Sequence, residues 1–417
     1  MLQRLRKKGI LRFGAFLSSN VVQKSGQLLL LAGLVYVGTT SDVYRFGLYI
    51  SLLNLLVPVL ALNIHTAVGR ISFDIPDDKG RRDFALSSLA AGLGAVAGGC
   101  LLIGLGGWLL GFRDELTGGR AGTYALVFAG MLAYTLFQFL TVALRLDDRA
   151  RPFVNFGLIT GIGALAVSAI AFLVGTPPFV AAVAGYSGAQ LIAAFYAFAF
   201  VGVPVKGGSF AATHMRSAYA YSLGTVLYSV VQWVTNYSGR WLAADWLDDA
   251  DLAAYTLLTQ FLVALTLSLT TLYESRRPVI LRAFAAGDIP GGISKIDRSF
   301  WPSLGLVAAA FAGLLVVFPF LPLILPEEYE FRPTWIGTAA FQCGAYALSM
   351  RTYWLAVGLH RTKTFAMAAV AGATINIGGT LALGPIIGVD GMLLAAGSGL
   401  LAQAALARLL MLRRIQR

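Results

Sequence analysis

Three basic residues lie inside long apolar stretches of this 417-residue chain: Lys24, Arg240 and Arg351. A basic side chain at the centre of a membrane helix costs about 2.5–3.5 kcal/mol to insert, and such residues usually face a cavity. No acidic residue lies inside the same stretches, so we expect nothing inside the membrane to neutralise the three cations. A cationic path that attracts an anion is the prediction. The alternative is that a side chain near a helix end, Arg240 above all, extends to the membrane surface.

Polar and aromatic side chains accompany these cations and are predicted to line the same path. They are Gln23, Gln27, Asn236, Tyr237 and Asn376. Amide side chains inside a helical bundle also bond neighbouring helices to one another, and this alternative stays open for the glutamines and asparagines.

Further basic residues fall where apolar stretches end. Arg70, Arg276 and Arg282 are predicted to form a rim at one end of the path, where they could collect the anion. Their other interpretation is that they anchor the topology of the chain in the membrane.

Membrane helices must position these residues, because hydrophobic residues make up 57% of the chain and charged residues only 12%. Soluble domains carry about 25% charged residues. Twelve apolar stretches are each long enough to span a hydrocarbon core of about 30 Å. They are Phe13–Val37, Phe46–Val68, Phe84–Leu110, Thr123–Leu144, Phe153–Val174, Phe179–Val203, Ala218–Ala244, Leu252–Tyr273, Phe300–Leu325, Trp335–Gly358, Phe365–Ile386 and Met392–Met411. Pro58, inside the second stretch, is predicted to kink its helix.

The distribution of charge fixes the predicted orientation. If the twelve spans alternate from a cytoplasmic N-terminus, four of the 32 Lys and Arg lie on the exterior side and three well inside spans. This leaves 25 on the cytoplasmic side, with Arg408 at the cytoplasmic end of the last span counted there. This excess is the positive-inside rule, so the net charge of +12 reflects topology and predicts no nucleic-acid partner. We expect a multi-pass protein of a bacterial inner membrane, surrounded by phospholipid, with both termini cytoplasmic.

Two sets of residues repeat along the chain. Tyr49 and Tyr255 each follow an aspartate by seven residues and precede an arginine by 21, at a shift of 206 residues. The run from Arg149 to Phe153 resembles the run from Arg361 to Phe365 at a shift of 212. Two nearly equal shifts indicate a duplication of six helices. The prediction is an all-α protein of two parallel six-helix repeats around a central cavity: an N-lobe over 1–203, a cytoplasmic linker over 204–217 and a C-lobe over 218–417.

The sequence contains no pattern that predicts catalysis. The three histidines have no cysteine or carboxylate at metal-ligand spacing, and no phosphate-binding glycine loop is present. We therefore expect no catalytic residue, no metal and no cofactor, and a protein that is not an enzyme. A coupling ion, proton or sodium, cannot be read from the sequence, and Glu274 is only a weak candidate for its site.

Several runs resemble a known family. The run TTSDVYRFGLYISLLNLL resembles the segment after the first helix of polysaccharide-biosynthesis flippases, and Phe46-Gly47-Leu48-Tyr49 matches its tetrapeptide. The run SGRWLAADWLDDADLAAY is similar to the Asp-Arg pair, turn and tyrosine of the second half of that family, with Arg240 and Tyr255 at the same spacing. VGLHRTKTF and GVDGMLLAA, at 357–365 and 388–396, resemble its last hairpin. Two positions depart from the family: Gly239 replaces a frequent Asp, and Thr39 a frequent Arg.

The family belongs to the multidrug, oligosaccharidyl-lipid and polysaccharide (MOP) exporter superfamily. The resemblance implies a helical transporter with a cationic cavity that flips an undecaprenyl-pyrophosphate-linked oligosaccharide to the outer leaflet by alternating access, for O-antigen, capsule or exopolysaccharide synthesis. Lys24, Arg240 and Arg351 would then bind the pyrophosphate, and a glycan polymerase is a candidate partner. Two alternatives remain: a multidrug extruder of the same superfamily, and a polytopic glycan polymerase or ligase.

Overall fold

The computed structural model describes residues 26–72, 75, 77–109, 121–146, 150–201, 214–359 and 361–412, and these residues form helices and short connections without a β-strand. The first eight helices are α1 (Gly26–Val37), α2 (Thr40–Leu60), α3 (Ile64–Ile71), α4 (Asp78–Leu109), α5 (Ala121–Leu146), α6 (Ala150–Leu173), α7 (Pro178–Tyr196) and α8 (Met215–Leu242). A π-helical turn, Ala197–Val201, extends α7.

Six further helices complete the chain. They are α9 (Asp249–Ala285), α10 (Ile289–Val317), α11 (Leu321–Ile324), α12 (Pro333–Gly358), α13 (Thr362–Ile387) and α14 (Val389–Leu412). Single turns of 3-10 helix follow α8 at Ala243–Asp245 and α10 at Phe318–Phe320.

Within the described ranges, nine helices are long and apolar enough to cross a membrane. Of the predicted first span, Phe13–Val37, the structure describes the part that forms α1. Two other helices, α8 and α12, have the length, with 28 and 26 residues, but are not among the nine. These two helices carry Arg240 and Arg351, so the cations lie on the less apolar spans.

The predicted second span is broken rather than kinked. Pro58 lacks the N–H that a helix requires, and α2 ends two residues later. Leu62 and Asn63 then adopt the left-handed conformation, with φ of 47° and 52°, before α3 begins. The Asn63 side chain donates to the Thr225 carbonyl at 3.2 Å and to the Ser229 hydroxyl at 2.8 Å, which fixes the break against α8.

The segment between the predicted eighth and ninth spans is helical. The helix α9 runs for 37 residues, beyond Tyr273 to Ala285, and α10 begins only four residues later. The Asp248 side chain caps α9 by accepting from the Asp251 N–H, and Asp288 caps α10 by accepting from the Gly291 N–H. Charged residues near 295 therefore lie on a helix that enters the apolar region.

The chain divides into two compact units, residues 1–230 and 231–417, which we name unit 1 and unit 2. In unit 1, α7 packs along α5 and α6, and α3 packs on α4 and α5. In unit 2, α14 packs along α12 and α13, and α9 packs on α10 and α12.

The division falls inside α8, later than the linker predicted over 204–217, of which residues 204–213 lie outside the described ranges. The reason is that the first half of α8 packs in unit 1. The Ser88 hydroxyl donates to the Met215 sulfur, and the Asn63 side chain donates to the Thr225 carbonyl and the Ser229 hydroxyl. The assignment of lobes around a central cavity stays a prediction.

Candidate functional site

Arg240 lies in the last turn of α8, and its side chain is completely buried, at 0% exposure. Its Nε donates to the Thr259 hydroxyl at 3.2 Å, and its Nη2 donates to the same oxygen. Its Cζ lies 5.3 Å from the centre of the Tyr237 ring, a cation–π distance. The side chain therefore points into unit 2, and the alternative in which Arg240 extends to the membrane surface is wrong.

Thr259 is positioned by α9, one turn after Tyr255, so both side chains lie on one face of that helix. The Thr259 hydroxyl donates to the Thr256 carbonyl at 3.0 Å, which leaves its oxygen lone pairs to accept from Arg240. Thr259 and Tyr255 are themselves buried, at 4% and 6% exposure. A rigid hydroxyl on α9 thus holds the guanidinium.

Gly239 permits the close approach of α8 to α9. A Cβ atom at this position would lie 2.6 Å from the Tyr255 hydroxyl and 3.0 Å from the Met392 methyl carbon, closer than ordinary contacts allow. The aspartate that the resembled family often has here would not fit without displacement of Tyr255. The departure at Gly239 therefore reflects packing around the tyrosine.

A pocket in unit 2 adjoins Thr259, and we name it the polar pocket. Its cavity volume is about 10 Å³, room for about one water molecule in this state. The hydrogen-bonding side chains that line it are Asn236, Tyr255, Thr259, Thr266, Gln342 and Tyr346. The Gln342 Oε1 atom is buried and has no hydrogen-bond partner among the described residues. Since buried polar atoms are normally bonded, this acceptor is available to a ligand or a water.

The two asparagines predicted to line the path differ in their contacts. Asn236 lines the pocket, and its Nδ2 donates to the Gln232 carbonyl at 2.9 Å. Asn376 on α13 is buried, and its Nδ2 donates to the Val234 carbonyl of α8 at 3.1 Å. Asn376 thus bonds α13 to α8, as predicted by the alternative in which amide side chains join neighbouring helices.

The expectation that nothing neutralises the buried cations is wrong for Arg351. Its Nε donates to Asp297 at 2.6 Å, and its Cζ lies 5.3 Å from the centre of the Phe300 ring. Both side chains of the ion pair are partly accessible, at 26% for Arg351 and 33% for Asp297. The apolar stretches leave Asp297 between two spans, whereas in the structure it lies on α10.

The predicted rim residues have structural contacts of their own. Arg276 is exposed, and its Nη1 donates to the Arg298 carbonyl of α10. The helical partner of that carbonyl would be the N–H of residue 302, which is Pro302, so Arg276 replaces a donor that proline lacks. Arg282 is exposed in the last turn of α9, where a cation favours the helix dipole. Arg70 belongs to α3, and its side chain lies outside the described residues.

Two of the predicted site residues, Gln23 and Lys24, also lie outside the described residues. Gln27, one turn later on α1, is buried at 3% exposure. The site that the structure assembles from described residues is therefore the group around Arg240. The sequence predictions missed Thr259, Gln342 and Tyr346, and the only signal for Thr259 was its position one turn after the repeated Tyr255.

Unit 1 contains the counterpart of this tyrosine. Tyr49 on α2 is completely buried, and its hydroxyl lies 2.8 Å from the Ser187 hydroxyl of α7. A Cβ atom at Gly130 of α5 would lie 2.1 Å from the Tyr49 hydroxyl. Both repeated tyrosines therefore pack on a glycine of a neighbouring helix.

No known protein family and no curated protein matches the sequence. Solved structures do match its fold. One is an inward-facing multidrug resistance MATE family transporter of the MOP superfamily, with a TM-score of 0.71, 13% identity, and coverage of 97% of this chain and 94% of that one. A MATE transporter of Vibrio cholerae gives a TM-score of 0.67 and 17% identity over 99% and 98% of the two chains. A MOP superfamily transporter of Pyrococcus furiosus, whose binding pocket has reversed polarity, gives 0.64 and 12% over 97% and 96%.

Identities this low establish the fold alone. This chain has the fold of MATE transporters of the MOP superfamily, and the prediction of an all-α polytopic membrane protein is confirmed. The neighbours are described as transporters. The resemblance to polysaccharide flippases stays a prediction.

Proposed function

We propose that this chain is a membrane transporter that moves a lipid-linked oligosaccharide, carried on a pyrophosphate, from the cytoplasmic to the outer leaflet by alternating access. The fold that it shares with transporters supports the transport function. The runs that resemble polysaccharide flippases support the substrate. The proposed location is a bacterial inner membrane with cytoplasmic termini, and a glycan polymerase is a proposed partner.

One observation carries the choice of an anionic substrate: the buried charge of unit 2 is a guanidinium held beside a polar pocket. In a medium of low dielectric, such a charge acts over a longer range than it would in water. Thr259 joins Arg240 to the pocket, because its hydroxyl accepts from Arg240 and its side chain lines the pocket. The positive potential therefore extends to the pocket through a neutral residue.

In this state the pocket has room for about one water molecule, and it is its polar side chains that match a head group rich in hydroxyls. Asn236 and Gln342 offer amide donors and acceptors, and Tyr255 and Tyr346 offer hydroxyls and ring faces. A sugar that left water without such partners would lose several kcal/mol for each buried polar group. Arg240 is buried behind Thr259, so its contribution in this state is electrostatic attraction.

A second candidate is multidrug export, which the comparisons favour, because several of the matching structures are multidrug transporters. A cationic drug would require an accessible carboxylate. Asp297 is the carboxylate that the structure places on α10 near Arg351, and Arg351 already binds it. The polarity of a MOP pocket can also be reversed, as in the Pyrococcus furiosus transporter, so the fold does not decide between the two substrates.

The test is transport by the purified protein in liposomes, with two probes in parallel: a fluorescent undecaprenyl-pyrophosphate oligosaccharide and a cationic dye. Each is measured without a gradient and with a proton or sodium gradient, which identifies the coupling ion in the same experiment. We expect flipping of the oligosaccharide and no export of the dye. Export of the dye alone would replace the proposal with the second candidate.

Two threonines of the same helix form a matched pair of variants. Thr259→Val removes the hydroxyl that accepts from Arg240, and we expect oligosaccharide flipping to fall about tenfold, equivalent to about 1.4 kcal/mol. Thr266→Val removes a hydroxyl that lines the same pocket and donates to the Val263 carbonyl at 3.0 Å, and here we expect less than about a twofold change. Equal effects of the two variants would contradict the role of Arg240.

A further inference from the structure

An apolar groove in unit 2 lies between α9, α10 and α12, and we name it the lateral groove. Its cavity volume is about 210 Å³. Its lining is apolar and includes Leu257, Phe261, Leu314, Phe331 and Trp335, together with Arg332. Arg332 is the one charged residue of this lining.

The apolar surface continues outside the groove. The neighbouring side chains Leu315, Val316 and Leu323 are 58%, 69% and 82% exposed. Of the 18-residue apolar segment within Ile289–Ile324, only 11% is buried inside the protein. In a membrane, lipid chains cover such a surface. A hydrocarbon chain can therefore pass from the bilayer into the lateral groove without crossing a polar barrier.

The mouth of the groove carries charges of both signs. The Arg332 guanidinium lies 3.9 Å from Asp251, the distance of a loose ion pair, with 57% of the arginine side chain exposed. Asp248 and Glu330 also act electrostatically on Asp251. Carboxylates therefore outnumber the one guanidinium among these four residues. In the predicted topology they lie at the exterior surface of the membrane.

We propose that the lateral groove binds one phospholipid with a primary amine in its head group, phosphatidylethanolamine. The groove shares no lining residue with the polar pocket. The acyl chain fills the groove between the leucines and phenylalanines. The phosphate binds Arg332, and the ammonium donates charge-assisted hydrogen bonds to Asp251 and Glu330. A head group that carries a phosphate and no ammonium would place its negative charge beside these carboxylates, with no positive charge to offset the repulsion. A choline head group has no N–H to donate.

The test compares three lipids with identical acyl chains: phosphatidylethanolamine, phosphatidylcholine and phosphatidylglycerol. The full-length protein is purified, incubated with each lipid in detergent, and the number of retained lipids is counted by native mass spectrometry. We expect one retained phosphatidylethanolamine, with about tenfold stronger retention than either other lipid.

Neighbouring residues of α10 provide the matched variants. Leu314→Trp places an indole in the groove and should abolish the retained lipid, whereas Leu315→Trp places it on the exposed apolar surface and should leave retention unchanged. Arg332→Gln and Asp251→Asn alter the mouth and should remove the preference for the amine lipid while the groove stays open.

Equal retention by wild type and Leu314→Trp would refute the site. Preferential retention of phosphatidylglycerol would refute the role of the carboxylates. Neither result depends on which substrate the protein transports.

Discussion

Units 1 and 2 place the same tyrosine in different electrostatic surroundings. In unit 1, Tyr49 is buried against Gly130 and pairs with the neutral hydroxyl of Ser187. In unit 2, Tyr255 is buried against Gly239, which precedes Arg240 in α8, and Tyr255 also lines the polar pocket. The duplicated position is therefore neutral and closed in one unit and lies beside a buried cation in the other.

The two units therefore share the contact between a tyrosine and a glycine, and they differ in the charge beside the tyrosine. A tyrosine against a glycine is common to both units, so it serves the packing of helices. The charge is added by one residue, Arg240, and its hydroxyl partner on α9. Loss of the charge should affect function most, and loss of the shared packing should affect stability in both units.

The largest effect is expected from Arg240→Met, which keeps an apolar stem and removes the charge. Oligosaccharide flipping in liposomes should fall at least about tenfold. A buried charge carries a desolvation cost, and Met removes that cost together with the contacts of Arg240, so thermal unfolding in detergent should change less than transport. A variant that unfolds at a much lower temperature but still transports would assign Arg240 to structure instead.

The shared packing is tested by Gly130→Ala, which introduces a methyl group 2.1 Å from the Tyr49 hydroxyl. Overpacking of this kind costs about 1–3 kcal/mol of unfolding free energy. The double variant Gly130→Ala with Tyr49→Phe removes the clashing oxygen and should recover part of the loss. Gly239→Ala with and without Tyr255→Phe repeats the test in unit 2, where the distance is 2.6 Å and the loss should be smaller. Unfolding in detergent measures both, and an absence of rescue would place the strain elsewhere.

The two tyrosines should also differ when they are changed alone. Tyr49→Phe leaves the buried Ser187 hydroxyl without its 2.8 Å partner and should cost about 0.5–1.5 kcal/mol of stability, with transport unchanged. Tyr255→Phe should reduce transport more than stability, because Tyr255 lines the pocket beside the buried Arg240. If both variants behave alike in the two measurements, the units do not divide packing from chemistry at this position.

The smallest effect is expected at the Arg351–Asp297 pair, whose side chains are partly accessible. Pairs that solvent reaches contribute about 0–1 kcal/mol. Arg351→Gln, Asp297→Asn and the double variant should therefore give a coupling free energy below about 1 kcal/mol in unfolding measurements, and it should decrease further with added salt. A larger coupling would mean that the pair is more strongly desolvated than its exposure indicates.

Local patterns in the sequence were enough to predict the helical, polytopic architecture. Composition and stretch length predicted the membrane helices, and Pro58 marked the region where the second span breaks. Arg240 was recognised because a charge inside an apolar stretch is conspicuous. These features depend on residues close to one another in the chain.

The missed features depend on contacts between distant residues. Thr259 contacts Arg240 from 19 residues away, and Asp297 reaches Arg351 across 54 residues. Asp297 falls between the predicted eighth and ninth spans because the apolar residues stop before it on one side and begin after it on the other. In the structure, α9 and α10 extend as polar helix beyond these apolar residues. Composition marks the apolar part of a membrane helix and not its full length.

The contact between Arg276 and the Arg298 carbonyl has a consequence for the evolution of this chain. The carbonyl needs a side-chain donor because Pro302 cannot supply the helical N–H. Among homologues, positions 276 and 302 should therefore change together: a homologue without proline at 302 is released from the need for arginine at 276. A basic residue that positive-inside counting treats as interchangeable would then be constrained by one proline 26 positions away.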